Sequence, residues 1–244
     1  PLATPWNQVP LMDGTVGLGQ GEPMIGAVVG PVQSGKTASM VGLISHLYDI
    51  GYDAVVVMTG RTNDLNLQTA IRLKNDVFDW GEYIRRRNVN IRPSSPFGLG
   101  SHKINRIWNN RDFYSTPLSL DYGADWDGWF MAAMAAVSRL VPSLMVTKKT
   151  AGAGNSLEKM TRDMRNLDLH CQQTHNRSLR WAIIDDECDS LTVGAADSVT
   201  PALLYDTTTI GECVYIGYSA TPQANLFAVE GNPLFPRHFA FLLR

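Results

Sequence analysis

Lys36 and Thr37 close the run Gly30-Pro31-Val32-Gln33-Ser34-Gly35-Lys36-Thr37, which has the glycine, lysine and hydroxyl spacing G-x-x-x-x-G-K-T of a phosphate-binding loop. Glycines let backbone N–H groups turn inward around phosphate oxygens, and a following helix adds the positive end of its dipole. Gly30, Gln33, Ser34, Gly35, Lys36 and Thr37 would form that cradle. Lys36 would reach the β/γ-phosphates, and the Thr37 hydroxyl would ligate Mg²⁺. A second chemistry-bearing group follows the apolar run Trp181-Ala182-Ile183-Ile184: Asp185, Asp186, Glu187 and Asp189. Four carboxylates so close in sequence repel one another, and a cation partner relieves the repulsion. Asp186 is assigned to the metal, through water, and Glu187 to orienting an attacking water. The competing reading is an acidic strand end that faces solvent. Together the two segments point to hydrolysis of a nucleoside triphosphate with Mg²⁺, with Lys36, Asp186 and Glu187 as the catalytic set.

A third segment, Cys213-Val214-Tyr215-Ile216-Gly217-Tyr218, is a strand running into Ser219-Ala220-Thr221-Pro222. Here the chain resembles the superfamily-two helicases and translocases. In them D-E-x-D and S-A-T lie on neighbouring strands, and Asp186-Glu187-Cys188-Asp189 and Ser219-Ala220-Thr221 match the two motifs. The resemblance implies that ATP is the nucleotide. It also implies that the Ser219 and Thr221 hydroxyls bond Asp189, coupling nucleotide state to the hold on nucleic acid. More narrowly, the chain is similar to the bacterial "Z-one" domain family, whose members are often labelled endonucleases. The matching residues are Val28 to Thr37, Gly60-Arg61-Thr62-Asn63-Asp64-Leu65 with Gln68-Thr69, Asp185-Asp186-Glu187, and Tyr218 to Asn225. That likeness covers about residues 24 to 75 and 140 to 230, whereas Ser190-Leu191-Thr192 departs from the family's usual Asn-Ala-Ser-like tail. It implies a setting beside GHKL-type ATPases and nuclease-like proteins in restriction or phage-defence systems.

These side chains need a frame. Met24 to Val29 is an apolar run that predicts a buried strand before the loop, and Lys36 to Ile50 carries Met40, Leu43, Ile44, Leu47 and Tyr48 at helical spacing. Ala54-Val55-Val56-Val57-Met58, within 53–59, predicts the next strand, and 63–74 a helix with Leu65, Leu67, Ile71 and Leu73 partly inward. Pro142 to Thr147 predicts another strand. Asn155 with Glu158 then forms a capping-box start for a helix bearing Leu157, Met160, Met164 and Leu167. Residues 200–210 predict a short connecting helix. With the strands ending in D-E-x-D and S-A-T, five strands alternate with helices. The fold class is therefore α/β, a parallel sheet flanked by helices, of RecA-like P-loop type.

Residues 1–23 read as an irregular N-terminal arm, in which Gln8 or Gln20 could read adenine, and 24–244 as one lobe with an insertion at about 76–140. From Arg85 to Arg111 the insertion holds seven Lys or Arg and no acid, including Arg85, Arg86 and Arg87, with Phe97 and Trp108 among them. Such a surface suits a phosphate backbone and unstacked bases, and equally a solvated or partner-facing patch. The residues from Phe130 to Val137 predict a helix with a core-packing face. Arg61 and Thr62, and Lys148 and Lys149, stand at strand C-termini like the family's motifs Ia and Ib, where they would hold a nucleic-acid backbone. For the lysine pair a solvated loop is an equal reading.

At 244 residues and 44% hydrophobic composition, the chain can bury one sizeable core. The net charge of −2 confines any basic surface to a patch. No run approaches the length of a membrane span, and no secretory signal opens the chain. Cys171, Cys188 and Cys213 lack metal-ligand spacing and are expected to be reduced thiols in a cytoplasmic protein. The five histidines form no recognisable constellation. A second RecA-like lobe, with its arginine finger, is expected outside this chain, and without it hydrolysis is expected to be roughly a thousandfold or more slower. The leading expectation is an ATP-dependent motor on nucleic acid, with DNA as the track. A regulatory scaffold that binds ATP as a switch is the alternative. Direct nuclease activity lacks a P-D-(D/E)-x-K pattern, and a GTPase lacks N-K-x-D.

Overall fold

β-Branched and apolar runs set the strands, and a computed structural model of the chain describes residues 22–31, 35–59, 68–69, 71–73, 76–77, 126–140, 142–148, 156–189, 199–221 and 232–243. In chain order the elements are β1 (Met24–Val29), α1 (Lys36–Asp49), β2 (Ala54–Thr59), α2 (Trp126–Ser138), β3 (Ser143–Lys148), α3 (Ser156–His175), β4 (Arg180–Asp186), α4 (Val199–Thr208), β5 (Glu212–Ser219) and β6 (Phe239–Leu242). The strands form one six-stranded sheet in the order β3-β2-β4-β5-β1-β6, and every pairing is parallel. Parallel sheets need both faces covered, which is why β2 reads as the unbroken apolar run Ala54-Val55-Val56-Val57-Met58 with all its residues buried.

Alternation along the strands divides the core in two. On one face Val56, Met145, Trp181, Ile183 and Tyr215 pack against α2, α3 and α4 through Val137, Met160, Met164, Leu167 and Leu204. On the other face Val28, Val55, Val57, Ile184, Ile216 and Tyr218 pack against Met40, Ile44, Leu47 and Tyr48 of α1, joined by Leu73 and Val77. Helix α1 stops where Gly51 enters the left-handed region (φ 88°). There Tyr52 N–H reaches Leu47 O at 3.0 Å and Gly51 N–H reaches Tyr48 O at 3.0 Å, the Schellman pattern that satisfies the helix's last carbonyls.

The N-terminal ends of the central strands are stapled by one side chain. Buried Asp53 accepts two hydrogen bonds of 2.7 Å from the Arg177 guanidinium and one of 2.9 Å from the Arg180 N–H. That pairing holds Arg177 well above its ordinary proton affinity, the hydrogen bond to Asp53 outweighing its partial burial. The backbone of Asp53 also bonds Arg180 O at 2.7 Å and Ser143 N–H at 2.9 Å, so β2, β3 and β4 start in a fixed register.

The strands and helices expected from periodicity stand where the described residues can be compared, but of the two described residues expected inward on the 63–74 helix only Leu73 is buried, Ile71 being exposed. The two chief differences are extents and count. Helix α3 runs on to His175, and the sheet has a sixth strand that the pattern did not predict. Four residues, Phe239-Ala240-Phe241-Leu242, are too few to announce a strand without the edge of β1 to pair with. Gly26 makes that pairing possible, because a Cβ there would lie 2.1–2.3 Å from ring atoms of Phe239. The capping residue Asn155, the expected N-terminal arm and most of the 76–140 insertion lie outside the described residues.

Candidate nucleotide site

In an all-parallel sheet the C-terminal ends of the strands share one edge, and loops leaving them converge there. At that edge β5 stands between β1 and β4, with Val29 in register with Ser219 and Asp186 in register with Tyr218. The last residues of β5 therefore touch both chemical segments. Gly30 N–H donates to Ser219 O at 3.0 Å, which fixes the start of the glycine loop. Cys188 N–H donates to Tyr218 O at 3.0 Å, which fixes the acidic turn.

On the loop side, Gly35 caps α1 in the left-handed conformation (φ 82°, ψ 21°) with no side-chain hydrogen bond to the helix end. A residue with a Cβ would be strained there, so the glycine is needed for its backbone. The first turn of α1 carries no acidic residue, and its dipole favours an anion. The Lys36 ammonium folds back over the loop's own start, donating to Gly30 O at 3.0 Å and Pro31 O at 3.1 Å. Thr37, the next residue, is half-buried.

On the acidic side, alternation sends neighbouring carboxylates to opposite faces of the sheet. Asp185 is wholly buried and accepts a 2.7 Å hydrogen bond from the Tyr215 hydroxyl, on the face of α2, α3 and α4. Asp186 takes the other face, in register with Tyr218 and beside α1. The field of Asp186 is felt there: the Tyr218 hydroxyl is pushed up to about 12, chiefly by burial, against a lowering hydrogen bond from Ser39 and with a further rise from Asp186. Of the two adjacent aspartates, Asp186 is thus the one on the face of α1, the helix that follows the glycine-bearing segment. Glu187 follows in the left-handed region (φ 57°) and is exposed. Glutamate has no steric reason to adopt that conformation, and such outliers gather at functional turns.

Cys188, buried, packs its Sγ against Gly217, where an added Cβ would lie 2.8 Å from it. Asp189 accepts a hydrogen bond from the Thr221 hydroxyl. Ser219 acts differently from the expectation that both hydroxyls bond Asp189: its Oγ accepts the Thr221 N–H at 2.9 Å and so orients the residue that makes the contact.

The oxygens of Thr37 and Asp186 suit a hard cation such as Mg²⁺, which binds through one or two carboxylates and completes its shell with phosphate oxygens and water. Among the described residues no three His, Cys, Asp or Glu side chains gather closely enough to hold a metal by themselves.

Gln33 and Ser34 of the loop, Arg61, Thr62, Arg85, Arg86, Arg87, Lys149, and the two adenine-reading candidates Gln8 and Gln20 fall outside the described residues. Lys148 ends β3 opposite Thr59, at the same edge of the sheet as the acidic turn. Cys171, Cys188 and Cys213 are buried thiols outside any disulfide, and burial raises the Cys213 thiol well above its ordinary value. No helix among the described residues is long and apolar enough to cross a membrane.

Three participants escaped the sequence reading. Tyr218 and Ser39, hydrogen-bonded to each other at 3.1 Å, join β5 to α1 across the site. Tyr215 holds Asp185 from the far face. The sequence signal for both tyrosines is their period-2 placement on β5, which becomes informative once β5 is known to lie beside β4. No protein-family model matches the chain, and no characterised protein matches it in sequence.

Proposed function

We propose that this chain is the first RecA-like lobe of an ATP-dependent motor of superfamily-two type, acting on nucleic acid, with DNA as the track. The observation that carries the reading is the position of β5. It lies between the glycine-loop strand and the acidic strand, and Ser219 and Thr221 connect one to the other. In this reading the loop N–H groups and Lys36 hold the phosphates, with Lys36 exchanging its bonds to Gly30 O and Pro31 O for phosphate oxygens. Thr37 and, through water, Asp186 would hold Mg²⁺, which would supply positive charge against the phosphates. Glu187, exposed on its turn, accepts a proton from water as the water oxygen attacks the γ-phosphorus and the bond to the ADP oxygen breaks. Asp189 and Thr221 transmit the state of that turn to β5.

The partners implied by the resemblance belong to the same proposal: a second RecA-like lobe, GHKL-type ATPases and nuclease-like proteins in a bacterial defence setting, within the cytoplasm. The test is ATP hydrolysis by the longest natural form of the protein, with the second lobe supplied, with and without single- and double-stranded DNA, beside Glu187→Gln. We expect turnover stimulated by DNA, lost about 10²–10⁴-fold in the variant while ATP binding persists. Binding without turnover on DNA or RNA would instead support a regulatory ATP-binding module.

A further inference from the structure

We propose that Tyr218 and Ser39 form a brace that sets the spacing between the first turn of α1 and the Asp186 carboxylate. By doing so they would raise affinity for the magnesium-bound nucleotide more than for the nucleotide alone. The inference rests on the nucleotide reading above and adds two positioning residues to it.

Packing alone does not call for a hydroxyl at position 218. The Tyr218 ring is fully buried in a cluster with Val28, Met40, Ile184 and Ile216, where phenylalanine would fill the same space. A buried hydroxyl without a partner is costly, so its presence there requires one. The partner is Ser39 Oγ at 3.1 Å, on the first turn of α1 and two residues beyond Thr37. The carbonyl of the same tyrosine accepts the Cys188 N–H at 3.0 Å, and Asp186 is its register partner on β4. One residue thus reaches the phosphate-loop helix with its side chain and the acidic turn with its backbone.

The last turn of α1 is tied to the sheet by the Tyr48 hydroxyl, which donates to Ser143 O at 2.8 Å. Nearer its start the helix packs on the sheet through apolar side chains such as Met40 and Ile44, so without the brace the first turn can shift by pivoting about that far anchor. Phosphate contacts from the loop move with the helix and are little affected by such a shift. A cation held by Thr37 and, through water, by Asp186 would be affected, because those two residues stand on different elements. Losing the brace therefore penalises the ligand that bridges them.

The measurement is ATP affinity of the full chain, by calorimetry, in excess Mg²⁺ and in excess chelator, for the native protein, Tyr218→Phe, Ser39→Ala and the double variant. Each single change is expected to cut the magnesium-dependent gain in affinity about fivefold, the worth of one hydrogen bond, and to leave chelator affinity within about twofold. The double variant should lose no more than either single, because both remove the same bond. An unchanged magnesium gain in both singles, or losses that add in the double, would overturn the brace. Failure of the native chain to bind ATP in either condition would remove the nucleotide reading and the brace together. Should Tyr218→Phe fold poorly, Ser39→Ala, on a half-buried helix position, decides the matter alone.

Discussion

At the scale of single residues, the site is built from strain and from facing. Glu187 sits at φ 57°, a left-handed conformation that costs a residue with a Cβ about 1–2 kcal/mol. Asparagine tolerates that region better, through its short polar side chain. Glu187→Asn is therefore expected to raise the unfolding free energy by roughly 0.5–1 kcal/mol while removing turnover. Urea unfolding followed by circular dichroism checks the first half, and an unchanged or lowered midpoint would show that the turn is not strained. Facing distinguishes Asp185 from Asp186. The two have the same chemistry, and the pleat assigns one to Tyr215 in the core and the other to the α1 side. No feature of the tetrad Asp185-Asp186-Glu187-Cys188 by itself says which aspartate goes where. The phase of β4 in the sheet does.

At the scale of elements, β5 is the part on which the site depends. Its final residues hold the glycine loop through Ser219 O, the acidic turn through Tyr218 O and Asp189 through Thr221. Gly217 permits this closeness, since any side chain there would meet the Cys188 Sγ at 2.8 Å and its Cβ at 3.2 Å. Gly217→Ala is expected to push the Glu187–Asp189 turn off β5, costing about 1–3 kcal/mol of stability and a larger share of activity. Adding Cys188→Ala removes the sulfur and should recover part of both. Thermal unfolding and ATP turnover of the single and double variants measure this, and equal losses in the two would point to some other cause. Most elements were legible from periodicity, because β1, β2, β4 and β5 are apolar runs bounded by turn residues and α1 and α3 carry a regular apolar face. The sixth strand was not, because four residues of Phe, Ala, Phe and Leu become a strand only beside an existing edge.

At the scale of the whole molecule, burial of tyrosines ties stability to alkaline pH. Tyr52 and Tyr218 are each raised from 10.0 to about 12, mainly by desolvation, and Tyr48 is raised in the same direction. A raised folded value means that the neutral phenol is favoured in the fold. The associated stability is complete below the unfolded value near 10 and is lost as pH climbs through about 12. Tyr48, Tyr52 and Tyr218 are therefore expected to give tyrosinate absorbance only as the chain unfolds. Ionisation of all eight near pH 10 with the fold intact would contradict this. By itself the sequence determined the α/β class, the strands that end in glycine loop, acidic turn and S-A-T, and the residue types available for phosphate and metal. All of these follow from local spacing and from the periods of helix and strand. The tertiary structure alone decided that β5 lies between β1 and β4, which aspartate faces α1, and that Tyr218 meets Ser39. Those facts depend on strand order and register, which are set by which buried faces fit together across distances that no local pattern spans.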